Sequence, residues 1–422
     1  MQPSISGKAP AVPWYKEPTA TQWQVLVATS LGWILDAFDF TLLLLVLGDI
    51  GKTFGVDLVA MSSIITITLF CRLLGGIFVG TWADKVGRRA PMMISILGYS
   101  VFSFASGLAP DYGWFLVLRM IFGVAMGGEY AAGTPLAMES WPQRSRGLAS
   151  GLLQGGWPIG YLLATVVYYL VFPVFGWRAL FFIGGLPALL VLWIRSSIPE
   201  SPVWRERREK LEKTGRSDEL SLIRLFKPGV LGITIHTTLV MGGVMFSYYS
   251  ISSLWPTFLT NVLKLDVAAK SQFVILFNAA SLLGYWSCGV LSEVVGRRWT
   301  VAIFAAIGAV TLPLYSMVTD PTLVMIGGMV EGFVGVGFWG VIPAYLTERF
   351  PTAVRGVGPG AVFHAGAAIG STAPTILAIF IQAGTLTMGQ AIAAGAFVAL
   401  VFLVCMIFLA PESKGTVFTA DA

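Results

Sequence analysis

Between two apolar segments the chain reads Gly80-Thr-Trp-Ala-Asp84-Lys-Val-Gly87-Arg88-Arg89, and 209 residues later it reads Gly289-Val-Leu-Ser-Glu293-Val-Val-Gly296-Arg297-Arg298. The same offset of 209 residues relates Gly123 to Gly332, Glu139 to Glu348 and Arg146 to Arg355. No gap is needed, and each element keeps its direction along the chain. The sequence therefore predicts two parallel structural repeats.

Long apolar segments flank both copies of this motif. Only 12% of the 422 residues are charged, against about 25% in an ordinary soluble domain, and the mean hydropathy is +0.78. A spanning helix needs about 20 mostly apolar residues. We predict an all-α membrane protein with twelve transmembrane helices, numbered here as spans 1 to 12. They are 24–49, 60–81, 90–108, 114–137, 148–172, 179–196, 231–258, 270–294, 299–318, 322–346, 357–381 and 389–411.

One long, charged loop divides the spans into two groups of six. It contains the run that begins Trp204-Arg-Glu-Arg-Arg-Glu-Lys, which is predicted to be helical. The predicted divisions are an N-terminal segment (1–23), a six-helix bundle (24–196), a linker (197–230), a second six-helix bundle (231–411) and a tail (412–422).

The basic residues lie almost entirely on one side of the predicted membrane. Of the 27 lysine and arginine residues, all but six fall in the termini and in the loops on the same side. Because cytoplasmic loops carry this excess, both termini and the linker are predicted to be cytoplasmic, in a bacterial inner membrane. The net charge of +5 is thus explained by membrane topology, and no nucleic-acid partner is expected.

The motif after span 2, repeated after span 8, resembles that of the major facilitator superfamily. The first half is also similar to the sialate:proton symporter family, which includes sialic acid and lactate or pyruvate permeases. The residues that carry this second resemblance are Pro13-Trp14-Tyr15, Leu31-Gly-Trp-Ile-Leu-Asp36-Ala-Phe-Asp39-Phe40, Gly127-Gly-Glu129-Tyr130, Glu139-Ser-Trp-Pro142 and Gly176-Trp-Arg-Ala-Leu-Phe-Phe-Ile-Gly184. The resemblance implies a transporter with the major facilitator fold.

Acidic residues inside the spans are candidates for proton coupling, because an ionisable group in a membrane is costly and is often functional. Asp36 and Asp39 lie three residues apart on one face of span 1. Two carboxylates so close cannot both be ionised cheaply in a medium of low dielectric, so at least one is expected to hold a proton. Glu129 in span 4 and Glu331 in span 10 are further candidates.

Candidate substrate contacts follow from the two cations inside the spans. Arg119 in span 4 is predicted to bind a carboxylate, either as a substrate contact or as the ion-pair partner of an in-span acid. Arg72 in span 2 is interpreted as a structural partner of an acid in span 1 or span 4. The polar residues Gln154, Tyr248, Tyr249 and Asn278 are lesser candidates for contacts with the substrate.

The two repeated loops, with the ends of spans 4 and 10, are interpreted as an inner gate. The superfamily resemblance implies that this set of charges holds the cytoplasmic side closed. The predicted gating residues are Asp84, Arg88, Arg89, Glu139 and Arg146 in the first half, and Glu293, Arg297, Glu348 and Arg355 in the second.

No catalytic, nucleotide-binding or metal-binding constellation is recognised, so the sequence predicts neither an enzyme nor a cofactor. We predict a monomeric, proton-coupled symporter in the lipid bilayer, for an organic acid such as sialate, lactate or pyruvate. Two alternatives stay open at this point. One is a transporter of aromatic acids or other metabolites, acting as importer or exporter. The other is a membrane sensor that does not transport, and the short C-terminal tail disfavours it.

Overall fold

The computed structural model describes residues 18–141, 146–189, 221–351 and 357–414, together with residues 193, 200, 209 and 354. The secondary structure of these residues is helical, and no strand occurs among them. Eleven helices in this described part are long and apolar enough to cross a membrane. The predicted all-α membrane fold is therefore confirmed.

The first half follows the predicted order of spans. Its helices are Ala20–Phe54 (span 1), Leu58–Val86 (span 2), Arg89–Gly107 (span 3), Tyr112–Ser140 (span 4), and Arg146–Gln154 followed by Gly156–Ile183 (span 5 and the start of span 6). Gly176 breaks the last helix with a φ of 71°, and this break separates span 5 from span 6. The remainder of span 6 beyond residue 189 lies outside the continuously described residues.

The second half repeats this order with more interruptions. Its helices are Leu231–Ser252 and Trp255–Asn261 (span 7), Val267–Val295 (span 8), Arg297–Ser316 (span 9), Pro321–Val330 and Ile342–Arg349 (span 10), Gly358–Gly370 and Thr372–Gln382 (span 11), and Met388–Phe408 (span 12). Within span 10, a π-helical segment (Glu331–Gly335) and a 3₁₀ turn (Gly337–Gly340) replace regular α-helix. Of the helical run predicted from Trp204, Glu209 alone lies among the described residues, and it is helical.

The repeat extends to individual helix boundaries. Spans 2 and 8 begin and end at positions that differ by the same 209 residues as the motif. Each begins with a capping aspartate: Asp57 accepts a hydrogen bond from the Ala60 N–H at 2.7 Å, and Asp266 accepts one from the Ala269 N–H at 2.8 Å. An aspartate at this position satisfies a backbone N–H that lacks a partner within the helix.

Helix packing inside each half follows the repeat as well. A Cβ atom on Gly75 would lie 1.9 Å from the carbonyl oxygen of Val124, and one on Gly284 would lie 2.2 Å from that of Phe333. Neither distance is compatible with a side chain, so glycine lets span 2 approach span 4, and span 8 approach span 10, backbone to backbone. Small residues serve this purpose in membrane helix pairs.

The halves meet where span 2 packs on span 11 and span 5 packs on span 8. We call the face at which the described chain starts and ends the terminal face, and the opposite one the distal face. In the distal half of the molecule, Thr66 Oγ1 donates to the carbonyl of Ser371 at 2.5 Å. Lys270 Nζ donates to the carbonyl of Leu45 at 2.6 Å and to the hydroxyl of Tyr168 at 3.3 Å. These hydrogen bonds join the two halves on the distal side.

On the terminal face, backbone N–H groups at the start of spans 3 and 9 donate hydrogen bonds to a glutamate. Each glutamate follows the sixth span of the same half. Glu200 accepts hydrogen bonds from the N–H groups of Arg88 (2.8 Å) and Arg89 (3.2 Å). Glu412 accepts equivalent bonds from Arg297 (2.9 Å) and Arg298 (3.1 Å). Burial raises the pKa of the Glu412 carboxyl, but these and two further backbone N–H groups outweigh burial and hold that pKa below its ordinary value.

Gly296 provides a test of this arrangement. Its φ of 108° and ψ of 159° lie in a region that only glycine adopts readily, and a Cβ would lie 2.8 Å from Glu412 Oε2. We expect Gly296→Ala to cost about 1–3 kcal/mol of stability. This is measured as a lower apparent melting temperature of the purified protein in detergent.

The matched control is Gly232→Ala, because Gly232 is helical and a Cβ there would meet nothing within 4 Å. This variant should melt at or slightly above the wild-type temperature, since alanine favours helix over glycine. Equal melting temperatures for Gly296→Ala and Gly232→Ala would contradict the strained turn.

Candidate functional site

A cavity lies between the two halves. Its lining combines four residues of the first half with six of the second. They are Trp33, Arg72, Gln154 and Trp157, and Met245, Tyr248, Tyr249, Tyr285, Trp339 and Phe363. The repeat offset relates Gln154 to Phe363, so equivalent positions of spans 5 and 11 face the same space.

Aromatic rings form most of the cavity wall. The ring centroids of Trp33 and Trp157 are 5.1 Å apart, and Trp157 Nε1 donates a hydrogen bond to the Tyr248 hydroxyl at 2.5 Å. Phe363 stacks on Tyr130 with centroids 4.0 Å apart and an interplanar angle of 13°. This last contact joins span 11 to span 4, so aromatic packing closes the cavity on the terminal side.

Arg72 is the cation of the cavity, and Asp36 is its partner. Arg72 Nη2 lies 2.9 Å from Asp36 Oδ2, and both side chains are almost completely buried. The guanidinium carbon lies 5.4 Å from the ring centroid of Trp33 and 5.8 Å from that of Phe363. Arg72 Nε and Asp36 Oδ1 have no hydrogen-bond partner among the described residues. The pair is thus only partly satisfied.

Gln154 contributes the other uncommitted polar groups. Its side chain is buried, yet neither its amide nitrogen nor its amide oxygen has a partner in the part of the chain that the structure describes. Trp33 and Trp339 likewise leave their indole N–H groups without an acceptor there. A buried polar group normally finds a hydrogen bond. An aromatic cavity with several free polar atoms is the expected form of a small-molecule site.

Asp39 points away from the cavity, into the first half. Ser103 Oγ donates to Asp39 Oδ1 at 3.1 Å, and one turn later Ser106 Oγ accepts from Arg119 Nε at 3.0 Å. Span 3 therefore links the carboxylate of span 1 to the guanidinium of span 4. Asp39 makes no hydrogen bond with Tyr248, its repeat equivalent, which instead lines the cavity.

Arg119, predicted either as a substrate contact or as an ion-pair partner, does not line the cavity. Its guanidinium carbon lies 4.2 Å from the ring centroid of Phe122 and 4.9 Å from that of Phe181. No carboxylate of the described residues lies within ion-pair distance of it. The reason is the side of the helix on which Arg119 lies. Arg119 faces span 3 and the start of span 6, whereas the first-half wall of the cavity comes from spans 1, 2 and 5.

Glu129 lies close to the backbone of span 1. A Cβ on Gly32 would lie 2.7 Å from Glu129 Oε1, and Glu129 Oε2 has no hydrogen-bond partner among the described residues. The buried hydroxyl of Tyr99 donates to the Gly32 carbonyl at 3.5 Å and lies within electrostatic range of Asp36, Asp39 and Glu129. Tyr99 thus lies among three of the four predicted proton-coupling acids.

Glu331 and Asn278 belong to the interior of the second half. Glu331 starts the π-helical segment and accepts a hydrogen bond from Thr311 Oγ1 at 2.6 Å. The amide nitrogen of Asn278 donates to the Val274 carbonyl of its own helix at 2.9 Å. Neither side chain lines the cavity, whereas Gln154, Tyr248 and Tyr249 do.

The predicted gating residues of the second half come together on the terminal face. Arg297 Nη2 lies 2.7 Å from Glu293 Oε1 and 3.1 Å from Glu348 Oε1. In the first half, the side chains of Asp84, Glu139 and Arg146 lie outside the described residues. In the second half, Arg355 lies outside them entirely. The gating role of the set remains a prediction.

Several residues of the site escaped sequence reasoning. From the sequence alone, aromatic residues such as Trp33, Trp157 and Trp339 cannot be told from ordinary core residues. Their spacing does not distinguish residues that line a cavity from residues that pack in a core. Glu200 and Glu412 did carry a signal, since Pro-Glu-Ser follows the sixth span of both halves, at 199–201 and 411–413. The repeated tripeptide marks the two glutamates that accept hydrogen bonds at the start of spans 3 and 9.

Known transporters are similar to this chain in sequence over most of its length. The chain is 32% identical over 374 residues to the sialic acid transporter NanX of Escherichia coli (strain K12), covering 88% of this chain and 90% of that protein. It is 30% identical over 380 residues to the cis,cis-muconate transport protein of Acinetobacter baylyi (strain ATCC 33305 / BD413 / ADP1), covering 89% and 92%.

Solved structures show the same fold. The proton:xylose symporter XylE bound to 6-bromo-6-deoxy-D-glucose superposes with a TM-score of 0.77 at 18% identity, over 94% of this chain and 98% of that one. Residues 29–288 match the Major Facilitator Superfamily. The twelve-span repeat, the cavity between its halves and these similarities show that the chain belongs to the Major Facilitator Superfamily of membrane transporters.

Proposed function

We propose that this transporter carries an organic carboxylate together with a proton, by alternating access. The observation that supports the proposal most is the Asp36–Arg72 ion pair, whose arginine lines the central cavity. A guanidinium offers a planar fork of donors that matches a carboxylate. Arg72 is the one cation in the described cavity lining, so an anionic substrate that enters the cavity binds there.

Proton coupling follows from the charges at this site. When the cavity is empty, the single positive charge of Arg72 balances the single negative charge of Asp36. A substrate carboxylate that binds Arg72 leaves two anions beside one cation in a medium of low dielectric. The least costly response is for Asp36 to take up a proton, which restores neutrality. One carboxylate and one proton then move together, and release of the substrate returns Asp36 to Arg72.

Three other acids were predicted as proton carriers, and their surroundings favour different roles. Asp39 is held by Ser103 within the first half, and Glu129 and Glu331 lie outside the cavity wall. Asp36 alone among the four contacts the cavity cation. Glu129 and Tyr99 are close enough to Asp36 to influence where its proton resides.

Access to the cavity alternates between the two faces in this proposal. In the structure the distal side is joined by Thr66, Ser371 and Lys270, and the terminal side by the stacked rings of Tyr130 and Phe363. In this proposal, the contacts on one side separate while those on the other side stay formed. The excess of basic loop residues supports a cytoplasmic terminal face in a bacterial inner membrane, and the bundle is proposed to work as a monomer.

The relatives are consistent with an acidic substrate. One is named for sialic acid and the other for cis,cis-muconate, and both compounds carry carboxylates. Sialate and small monocarboxylates such as lactate or pyruvate are therefore the first substrates to test, together with aromatic acids.

Proton coupling is tested with Asp36→Asn in reconstituted vesicles. We expect the variant to lose accumulation driven by a pH gradient, because the amide cannot take up the proton. Exchange of labelled for unlabelled substrate at equal pH should persist, since it needs no net proton movement. Both are measured as uptake of radiolabelled substrate.

The matched control is Asp49→Asn, on the same helix, where the carboxylate pairs with the exposed Lys52. It should accumulate substrate as the wild type does. Normal accumulation by Asp36→Asn, with loss of accumulation by Asp39→Asn, would assign the proton to Asp39 instead.

Substrate charge is tested by comparing Arg72→Lys with Arg119→Lys. Lysine keeps the charge but lacks the planar fork. We expect Arg72→Lys to raise the apparent KM for the transported acid about tenfold or more, as loss of a charge-assisted hydrogen bond does. Arg119→Lys should leave KM nearly unchanged in protein that folds, because Arg119 does not reach the cavity.

The uncharged amide of the same acid completes this test. Wild-type protein should bind the amide much more weakly than the acid. Equal binding of acid and amide would show that the carboxylate is not recognised, and a rise in KM confined to Arg119→Lys would restore that residue as the substrate contact.

A further inference from the structure

The geometry points to a flat, π-conjugated carboxylate as the substrate, with Gln154 recognising a second polar group on its ring. This inference rests on the proposed function, because it takes Arg72 as the carboxylate contact. It narrows the substrate from organic acids in general to those with an aromatic or conjugated body.

The walls of the cavity favour a flat ligand. Trp33 and Trp157 from the first half, and Tyr248 and Trp339 from the second, present ring faces and edges to the same space. Neighbouring centroids are 5.1 Å apart for Trp33 and Trp157, and 6.1 Å apart for Tyr248 and Trp339. Aromatic rings attract one another at such separations beyond what burial alone provides. A saturated ring of equal size buries similar area but lacks this attraction.

The free hydrogen-bonding groups disfavour a sugar acid. Among the described lining residues, the uncommitted polar atoms are mostly donors: Arg72 Nε, the indole N–H groups of Trp33 and Trp339, and the amide nitrogen of Gln154. The Gln154 oxygen is a buried acceptor without a partner there, and the hydroxyls of Tyr248, Tyr249 and Tyr285 can each donate or accept. A polyhydroxylated acid would depend on these few acceptors for all of its O–H donors, and each unmet hydroxyl weakens binding about tenfold. A carboxylate on a conjugated ring has many acceptors and few donors, which is the complementary pattern.

The lining also disfavours a cation. Aromatic cages often hold cationic ligands by their ring faces. Here the Arg72 guanidinium already lies within 6.0 Å of the centroids of both Trp33 and Trp157. A second positive charge would meet the first one over the same rings.

Gln154 determines which flat acid is preferred. Its amide can donate and accept at once, and both of its ends are free. A phenolic hydroxyl meets both ends, and a ring nitrogen meets the donor. An unsubstituted ring leaves the buried amide unpaired, which costs the complex affinity.

The test is a competition panel with purified protein in vesicles. The probes are benzoate, 4-hydroxybenzoate, nicotinate, cyclohexanecarboxylate, lactate and sialate. We expect 4-hydroxybenzoate or nicotinate to bind at least tenfold more tightly than cyclohexanecarboxylate and sialate, and more tightly than benzoate. Cyclohexanecarboxylate is the critical comparison, because it matches benzoate in charge and size but has no π system.

Gln154→Leu then isolates the amide. In this variant the preference for 4-hydroxybenzoate or nicotinate over benzoate should shrink about tenfold. The melting temperature of the purified variant serves as the folding control, and Gln154→Met provides a second replacement if leucine reduces expression. A merely structural glutamine would change affinity for all acids alike.

The outcomes separate this inference from the proposed function. If sialate, lactate or cyclohexanecarboxylate binds as tightly as the flat acids, the π-conjugated class is wrong while carboxylate transport stands. If the preference for ring substituents survives in Gln154→Leu, the role of Gln154 is wrong. If no acid of the panel binds, the proposed function itself fails, and this inference falls with it.

Discussion

The site depends on one buried ion pair, between Asp36 of span 1 and Arg72 of span 2. Each charge alone would be costly at this depth, and removing one partner of a buried pair typically costs about 3–5 kcal/mol. The pair therefore fixes how the first two spans pack. Span 4 supports it from behind, because a Cβ on Gly127 would lie 2.1 Å from the Arg72 carbonyl. This close approach fixes the backbone of span 2 against span 4 at Arg72.

Span 10 shows how irregular helix serves the same cavity from the other half. Its counterpart, span 4, is regular α-helix from Tyr112 to Ser140, whereas span 10 passes through π-helical and 3₁₀ segments. Such segments often mark functional positions in a helix. The π segment changes the register of the residues that follow, and Trp339 on the 3₁₀ turn lines the cavity. Backbone of this kind is tolerated at membrane depth where protein buries it or a cavity borders it.

Sequence reasoning succeeded where a residue's type and spacing determine its role. The offset of 209 residues predicted the fold, because duplicated motifs require duplicated helices. Asp36 and Arg72 stood out because ionisable residues are rare inside spans. The sequence also favoured Arg119 over Arg72 as the substrate contact, whereas Arg72 lines the cavity and Arg119 does not, for a definite reason. Depth along a helix can be read from residue number, but the direction of a side chain depends on which helices are its neighbours. For the same reason the aromatic wall could not be told from ordinary core.

The duplicated scaffold has a consequence for ligand orientation. A cavity on a true twofold axis would offer a ligand two equivalent poses, related by half a turn. Here the repeat relates Asp36 to Met245 and Arg72 to Ser281, whose hydroxyl is already bonded within its own helix at 2.8 Å. The charged pair thus lies in the first half and has no charged equivalent in the second, so the two poses differ in energy. Under the proposed function, a carboxylate would be anchored to the first half with its ring extending toward the second, so every bound molecule would point the same way.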